Sequence, residues 1–586
     1  MAVWQQAPVG GGMLGVTIWS ARLSGSTWST PVTIADATRG GEAPQVVVDS
    51  TGVATAVWAN VMQREVETAR FVEGSWTATV MLSATGVQTQ TPQLAVDADR
   101  RVTALWLSRG GNSNHRVQTR RLHGAVWNDT TTISTDSLAN AFEARLAVNR
   151  AGAAVSLWAT FDGMTAKIVA ARAGSDAAWG QPVTFPTTGW DVSAPRIAVD
   201  DSGMATAVWR GTNMGAPAVI RAARAAGGTW SDPVTLSTAG ANADSPEIAV
   251  DPTGVVTAVW VRPKPGGTNL VVQSSRFVGQ TWTTPINLSA DGRDAGAPMV
   301  TVDPAGVVTA TWIRSNGQNT IVQAARFEDG AWGEPVNLSP VGRNAGTSPD
   351  YPWTLGSRVL AGTSGAVIAI WSRHSDTAAV IEALTLRGPP HPPTSVAAQT
   401  GTHSATISWT PPAMDGGAQI TSYTATATPD GATCSATAPD RTCTLTGLAE
   451  TVPYSVTVTA RNAVGTSTPS APVAVLLTRS PSPAPAPTGA PIQTPLPVRA
   501  LAVRVTTSPA GTVRTTGAVP RTASRVTQTA TAGRRTVNGR CTIAPRTGAR
   551  KFTCTLRLTK GRWAVRTRAM AGTTVVAQTT RTITRR

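Results

Sequence analysis

The chain has 586 residues, 41% hydrophobic and 14% charged, with 50 Lys+Arg against 33 Asp+Glu and a formal net charge of +17. That apolar content supports packed cores and excludes a globally disordered chain, and no apolar run reaches the ~20 residues of a membrane-spanning helix. The charge is unevenly placed: Pro481–Arg586 holds 19 Lys/Arg and no Asp or Glu, which leaves residues 1–480 with 31 basic and 33 acidic residues, a net of −2.

Residues 1–387 repeat. A short apolar run, Asp-x-x-Gly and an alternating run closing on Trp recur as VVVDSTGVATAVW (46–58), LAVDADRRVTALW (94–106), LAVNRAGAAVSLW (146–158), IAVDDSGMATAVW (197–209), IAVDPTGVVTAVW (248–260) and VTVDPAGVVTATW (300–312), with a weaker copy at 359–371 and a partial one ending at Trp4. A second pattern, an alternating strand, a Gly turn and another Trp, places Trp28, Trp76, Trp127, Trp179, Trp230, Trp282 and Trp332 at spacings of 48 to 52 residues. The alternation has the period of half-buried strands, and Asp-x-x-Gly is hairpin chemistry. Four-stranded units of about 40–50 residues predict the blades of a β-propeller. The partial copies at the two ends are expected to meet in one composite blade, giving a seven-bladed propeller; eight imperfect blades is the alternative.

Beyond the Pro-rich break at 387–393, residues 388–479 carry Trp409 in SATISWTPP, Tyr423 in SYTATA, Tyr454 in YSVTVTARNAVG and a closing STPS. This segment resembles a fibronectin type III domain, which implies a seven-stranded β-sandwich with Trp409 in its core. Residues 480–497 (SPSPAPAPTGAPIQTPLP) read as a Pro/Ala-rich, semi-rigid spacer. Residues 498–586 alternate over short runs such as KFTCTLRLT and RWAVRTRAM, and predict a small basic Ig-like β-sandwich. The whole chain is therefore expected to be all-β.

The four cysteines fall into two pairs, Cys434/Cys443 and Cys541/Cys554, each within one module. Such pairing predicts disulfides and an oxidising compartment, extracellular or at the cell surface. Zinc is disfavoured, because the spacings are not Cys-x2-Cys and no His lies nearby. Residues 1–30 carry no basic and apolar leader pattern, so the secreted reading expects a true N-terminus upstream of Met1. Only four basic residues are lysines, an arginine bias that reads as the codon habit of a high-GC bacterium.

The periodic residues read as scaffold. The Asp-x-x-Gly turns loosely resemble the Asp-box hairpins of sialidases, in which Gly follows Asp at two positions rather than three, and they predict structural turns. Arg22, Arg70, Arg121, Arg172, Arg224, Arg276 and Arg326 recur in every unit. They are expected to stack on a blade Trp or to pair with a turn Asp, because an active site breaks symmetry. By the same logic the off-register Trp190, Tyr351 and Trp353 are the better candidates for ligand binding, although propeller lectins do carry Trp/Arg sites between blades.

Catalysis finds little support. Tyr351 sits in no recognisable nucleophile motif. Glu42, Asp191 and Asp294, read as loop residues before the first strand of a blade, pair with nothing. The five His show no metal or triad spacing, and no nucleotide fingerprint occurs, so no cofactor or metal is expected.

The expected function is a non-catalytic binding or scaffold protein whose propeller contacts an extracellular glycan or protein. The 498–586 module would rest on an anionic cell-envelope polymer without specific nucleic-acid recognition. An extracellular glycoside hydrolase acting on polysaccharide, or a purely structural surface protein, are the competing expectations.

Overall fold

The structure, a computed structural model, describes residues 1–586 except 8–14, 26, 36–39, 61, 110–113, 135–138, 176–177, 186–188, 214, 239, 265–266, 268, 329, 341, 343, 346–356, 363, 375–378, 478–498, 501–502, 509, 511, 520–524, 533–534, 544–550, 560, 572–573 and 586. Every regular element among the described residues is a β-strand. Two compact units emerge, Met1–Ser480 and Pro481–Arg586.

The repeats form antiparallel sheets in chain order. The second sheet shows the plan: inner strand Gly41–Val48, then Ala54–Asn60, Glu65–Val72 and a short outer strand Val80–Met81. The same plan recurs on the inner strands Gln88–Val96, Asn140–Val148, Trp190–Val199, Asp244–Val250 and Ala295–Val302. From Gly41–Val48 onward, each inner strand packs on the inner strand of the next sheet, the last contact being with Arg358–Ala361. That radial order is a β-propeller.

The two ends lie in different sheets. The first sheet holds Ala2–Gln6, Thr17–Ala21 and Val32–Ala35, and the eighth holds Asn344–Ala345, Arg358–Ala361, Val367–His374 and Ala379–Leu386. Both therefore bring their own two middle strands, so they duplicate rather than complete each other. Among the described residues no ladder joins them.

Tryptophan fills the spaces between sheets. Trp58, Trp106, Trp158, Trp209, Trp260, Trp312 and Trp371 are at most 4% exposed. Several of their indoles are satisfied by the residue directly across the hairpin: Trp58 Nε1 donates to Glu67 Oε2 (2.8 Å), Trp312 to Gln323 Oε1 (3.2 Å) and Trp371 to Glu382 Oε2 (3.0 Å). The second Trp series is half-buried and packs back on the preceding sheet; Trp76 Nε1 donates to Ser20 Oγ at 2.8 Å. The Asp-x-x-Gly turns are as expected: Asp49 Oδ1 accepts from the Thr51 and Val53 amides and the Thr51 hydroxyl, while Gly52 takes φ +86°. Burial opposes ionisation of Asp49, yet these donor bonds hold its carboxyl below the usual range.

Residues beyond 387 form a sandwich of two sheets, one of Thr394–Gly401, Ser404–Thr410 and Thr442–Thr446, the other of Thr433–Thr437, Ser422–Thr428, Pro453–Arg461 and Val473–Leu476. Trp409 lies in its core against Tyr423, with ring centroids 5.2 Å apart. The Tyr454 hydroxyl donates to Asp430 and accepts from the Ala449 amide, tying a corner of the fold. Cys434–Cys443 joins strands of the two different sheets.

The Pro-rich break is not a free linker. Gly388 N donates to Gly416 O (2.8 Å), Gly416 N to Ser364 O in a turn of the eighth sheet (3.0 Å), and His391 N to Met414 O (3.1 Å). Gly416 sits at φ +72°, where a Cβ would overlap the Gly388 and Pro389 carbonyls.

The C-terminal unit runs its strands in the order Arg499–Ala500, Thr574–Arg585, Gly561–Ala571, Arg525–Ala532, Arg535–Ile543, Lys551–Arg557, Thr512–Ala518, Val503–Thr507. Arg535–Ile543 switches partners midway: through Gly539 it pairs with Arg525–Ala532, and from Arg540 with Lys551–Arg557. A strand shared in this way turns one sheet into two packed layers. Phe552, Cys554, Leu556, Trp563 and Val565 are buried between them, and Cys541–Cys554 crosslinks directly opposed residues.

Candidate functional site: the axial face of the propeller

The inner strands carry a feature that alternation alone does not reveal. Each of six has a bulge at which a non-glycine residue turns left-handed: Ala43, Thr91, Glu143, Ala194, Ser245 and Ala297, with φ between 47° and 51°. The ladder skips there, for example between Glu42 and Gln45 and between Ser193 and Arg196. In five of the six the next residue is Pro (44, 92, 195, 246 and 298), a residue with no amide to donate and one that sheets admit at bulges. The strand therefore runs on N-terminally past the bulge, and Glu42 and Asp191 lie in strands rather than in loops. Asp294, just before its strand, accepts the Leu270 amide at 2.8 Å, a structural tie.

The repeat position just past these six bulges holds Gln45, Gln93, Arg145, Arg196, Glu247 and Met299, and in the eighth sheet, by register with the Trp-bearing strand, Arg358. These side chains stitch neighbours together. Gln93 Nε2 donates to Ala144 O (2.9 Å) and Gln93 Oε1 accepts from Leu146 N (3.0 Å). Glu143 Oε2 accepts the bulge amide of Ala194 (2.6 Å), Arg196 Nε pairs with Glu247 Oε1 (2.7 Å), and Arg358 Nη1 lies 3.7 Å from Met299 Sδ.

Arg145 is the odd member. It donates to Ala144 O at 3.0 Å, and among the described residues no carboxylate lies within ion-pair distance of it. Its pKa is lowered to about 10, first by burial and then by the Arg196 cation, with Glu247 and Glu143 opposing and Arg358 adding to the depression. Arg358 belongs to the eighth sheet and Arg145 to the fourth, so the fields of inner-strand charges on different sheets overlap. Of the two carboxylates that act on Arg145, Glu143 already accepts the Ala194 amide and Glu247 already pairs with Arg196. The arrangement suits an anionic group that Arg145 and Arg358 can grip.

The stretch that carries two of the predicted residues follows Ala345 in the sequence. Twelve residues separate Ala345 from Arg358 in the eighth inner strand, where two separate Gly296 from Met299 in the seventh. Tyr351 and Trp353 lie in that stretch, outside the described residues. Its described neighbour Ser357 is fully buried, its Oγ 2.9 Å from Thr311 Oγ1. Trp190 opens the fifth inner strand, half-buried, with the Arg221 guanidinium 4.4 Å above its ring, so one indole face is already covered.

The repeated arginines hold sheets together. Arg121 Nη1 donates to the Gly174 and Ser175 carbonyls (2.8 and 2.9 Å), Arg276 and Arg326 pair with the turn carboxylates of Asp251 and Asp303, and Arg224 and Arg276 cover the Phe277 and Phe327 rings of the next sheet. Pairing with turn Asp is as expected; the stacking partner is Phe rather than Trp. A groove of about 510 Å³ between the third and fourth sheets is lined by Arg101, Arg120, Arg121, His123 and Trp179, but its arginines bind loop carbonyls and carboxylates. Among the described residues no group of three or more His, Cys, Asp or Glu could hold a metal ion.

With this geometry in hand, comparisons place one segment. Residues 390–475 match the family model of the fibronectin type III domain. A search of curated protein sequences finds no match. Similar solved structures include the polysaccharide lyase Uly1 (11% identity, 58% of this chain and 89% of that one, TM-score 0.39), an endo-arabinase from Bacteroides thetaiotaomicron (15%, 49% and 95%, 0.27) and the Aleuria aurantia lectin (10%, 58% and 94%, 0.28). What those proteins cleave or bind is theirs.

Proposed function

We propose that this chain is an extracellular, non-catalytic binding protein whose propeller takes an acidic glycan at its axis. The observation that carries the reading is Arg145, which lies on an inner strand at a repeat position whose residue type changes from sheet to sheet, has Arg196 and Arg358 as neighbouring cations, and lacks a carboxylate partner among the described residues. Periodic side chains serve periodic packing; residues that break the period at a shared face are free to serve a ligand. Two disulfides in the modules after the propeller agree with an oxidising compartment.

The test is a glycan panel containing uronate-bearing, sulfated and neutral oligosaccharides. Arg145→Met and Arg358→Met are each expected to weaken uronate or sulfate binding roughly 10- to 100-fold, the worth of a charge-assisted contact. Binding that ignores ligand charge, or that survives both substitutions, overturns the reading. A glycosidase is the second reading, because Glu143 and Glu247 both reach this axis. It requires turnover on a polysaccharide panel that disappears in Glu143→Gln or Glu247→Gln.

A further inference from the structure

The C-terminal unit presents a cationic sheet face with no acidic side chain anywhere in its sequence to balance it. Four strands form one layer: Val503–Thr507, Thr512–Ala518, Lys551–Arg557 and the second half of Arg535–Ile543. Alternation sends Val513, Phe552, Cys554 and Leu556 inward, and leaves Arg504, Arg514, Arg540, Lys551 and Arg557 exposed on the outer side.

Register fixes their pattern. Arg514 and Arg540 flank Thr555 in one cross-strand row, and Arg504 shares the next row with Thr516, Thr553 and Thr542. With strands about 4.8 Å apart and alternate residues about 6.7 Å apart, Arg514 and Arg540 stand roughly 10 Å from each other, and Arg557 roughly 8 Å from both. Those spacings are comparable to the Debye length of about 8–10 Å at physiological salt, so the cations repel one another. Cys541–Cys554 lies beneath and ties together the strands that carry Arg540 and Arg557.

We infer that this face binds a flexible, linear phosphodiester polymer without bases, of the poly(alditol phosphate) type. Guanidinium groups grip phosphate bidentately, the interspersed Thr hydroxyls add donors, and a flat lattice without a groove suits a chain that bends to follow it. Nucleic acid is the poorer fit. The unit's two aromatic residues, Phe552 and Trp563, are 1% and 3% exposed, so no ring is available for base stacking.

The experiment uses the full-length chain with poly(glycerol phosphate), an oligo(dT) of equal charge and neutral dextran, titrated across salt. With four to five contacts the log–log slope for poly(glycerol phosphate) is expected near about −3. The triple substitution Arg514→Gln, Arg540→Gln, Arg557→Gln should lower affinity at least roughly 30-fold and flatten the slope by about 2. The opposite-layer pair Arg562→Gln, Arg566→Gln, also exposed, should stay within about 3-fold. Equal losses in both variants would reduce the face to diffuse charge and overturn the inference. Tighter binding to oligo(dT) than to poly(glycerol phosphate) would overturn it in favour of a nucleic-acid surface. Retention of the disulfide and of the far-ultraviolet spectrum in each variant confirms that exposed Arg→Gln changes leave the fold intact.

Discussion

Glu67 is 1% exposed and keeps both carboxylate oxygens occupied, one by Trp58 Nε1 and the other by Asn60 Nδ2 at 3.1 Å. Gln118 and Gln323 hold the equivalent place opposite their own tryptophans, so an amide satisfies the indole equally well. Glu67→Gln keeps an acceptor for the indole but turns an amide NH2 toward the donating Asn60 Nδ2, so it is expected to cost about 1–2 kcal/mol, whereas Glu67→Leu strands two buried donors and should cost about 2–4 kcal/mol. Denaturant midpoints followed by Trp fluorescence distinguish the two; equal losses would mean that the contact is packing alone. The buried Trp series was legible because each residue closes an alternating strand. The charge of the axis was not: Arg145, Arg196 and Glu247 each precede an apolar run and look like ordinary solvated residues at a strand entrance. Only comparison of one repeat position down all the sheets separates them from the background, and Gln, Arg, Glu and Met there differ while their neighbours agree.

The inner strand is the element where local rules and the fold part company. Period-two reasoning starts it at the apolar run and leaves the preceding residues as loop. The bulge adds a residue, turns the chain through a left-handed position and lets the strand continue, which carries polar side chains to the axis. The junction after the propeller misleads in the opposite sense. Pro and Gly at 387–393 read as a Pro-rich break between domains, yet the backbone there is bonded to the Met414–Gly417 loop and through it to the eighth sheet. Gly416→Val meets both the φ +72° backbone and the Gly388 and Pro389 carbonyls, and should undock the sandwich without unfolding it. Trypsin cleavage after Arg387 is expected to speed up at least roughly 10-fold in Gly416→Val, in keeping with local opening of that junction. An unchanged cleavage rate would show that the loop contact does not hold the two together.

At the scale of the whole chain, covalent crosslinks and repeat packing are kept apart. The disulfides close loops of 9 and 13 residues in sequence separation, both outside the repeats. Reduction should destabilise the sandwich and the C-terminal unit by about 2–4 kcal/mol each, while the propeller, which has no cysteine, unfolds at an unchanged midpoint. Calorimetry with and without reductant reads this directly, and a matching shift in the propeller transition would show that its stability depends on the docked sandwich.

The C-terminal unit also has no internal means of letting go. It contains Arg and Lys but no Asp, Glu or His, so no side chain in it changes charge between about pH 5 and 9. Acidification that would neutralise carboxylates elsewhere in the chain leaves this surface as it was. The phosphodiester polymer inferred above would be displaced by concentrated salt or by a competing polyanion, and its attachment would persist through swings of environmental pH.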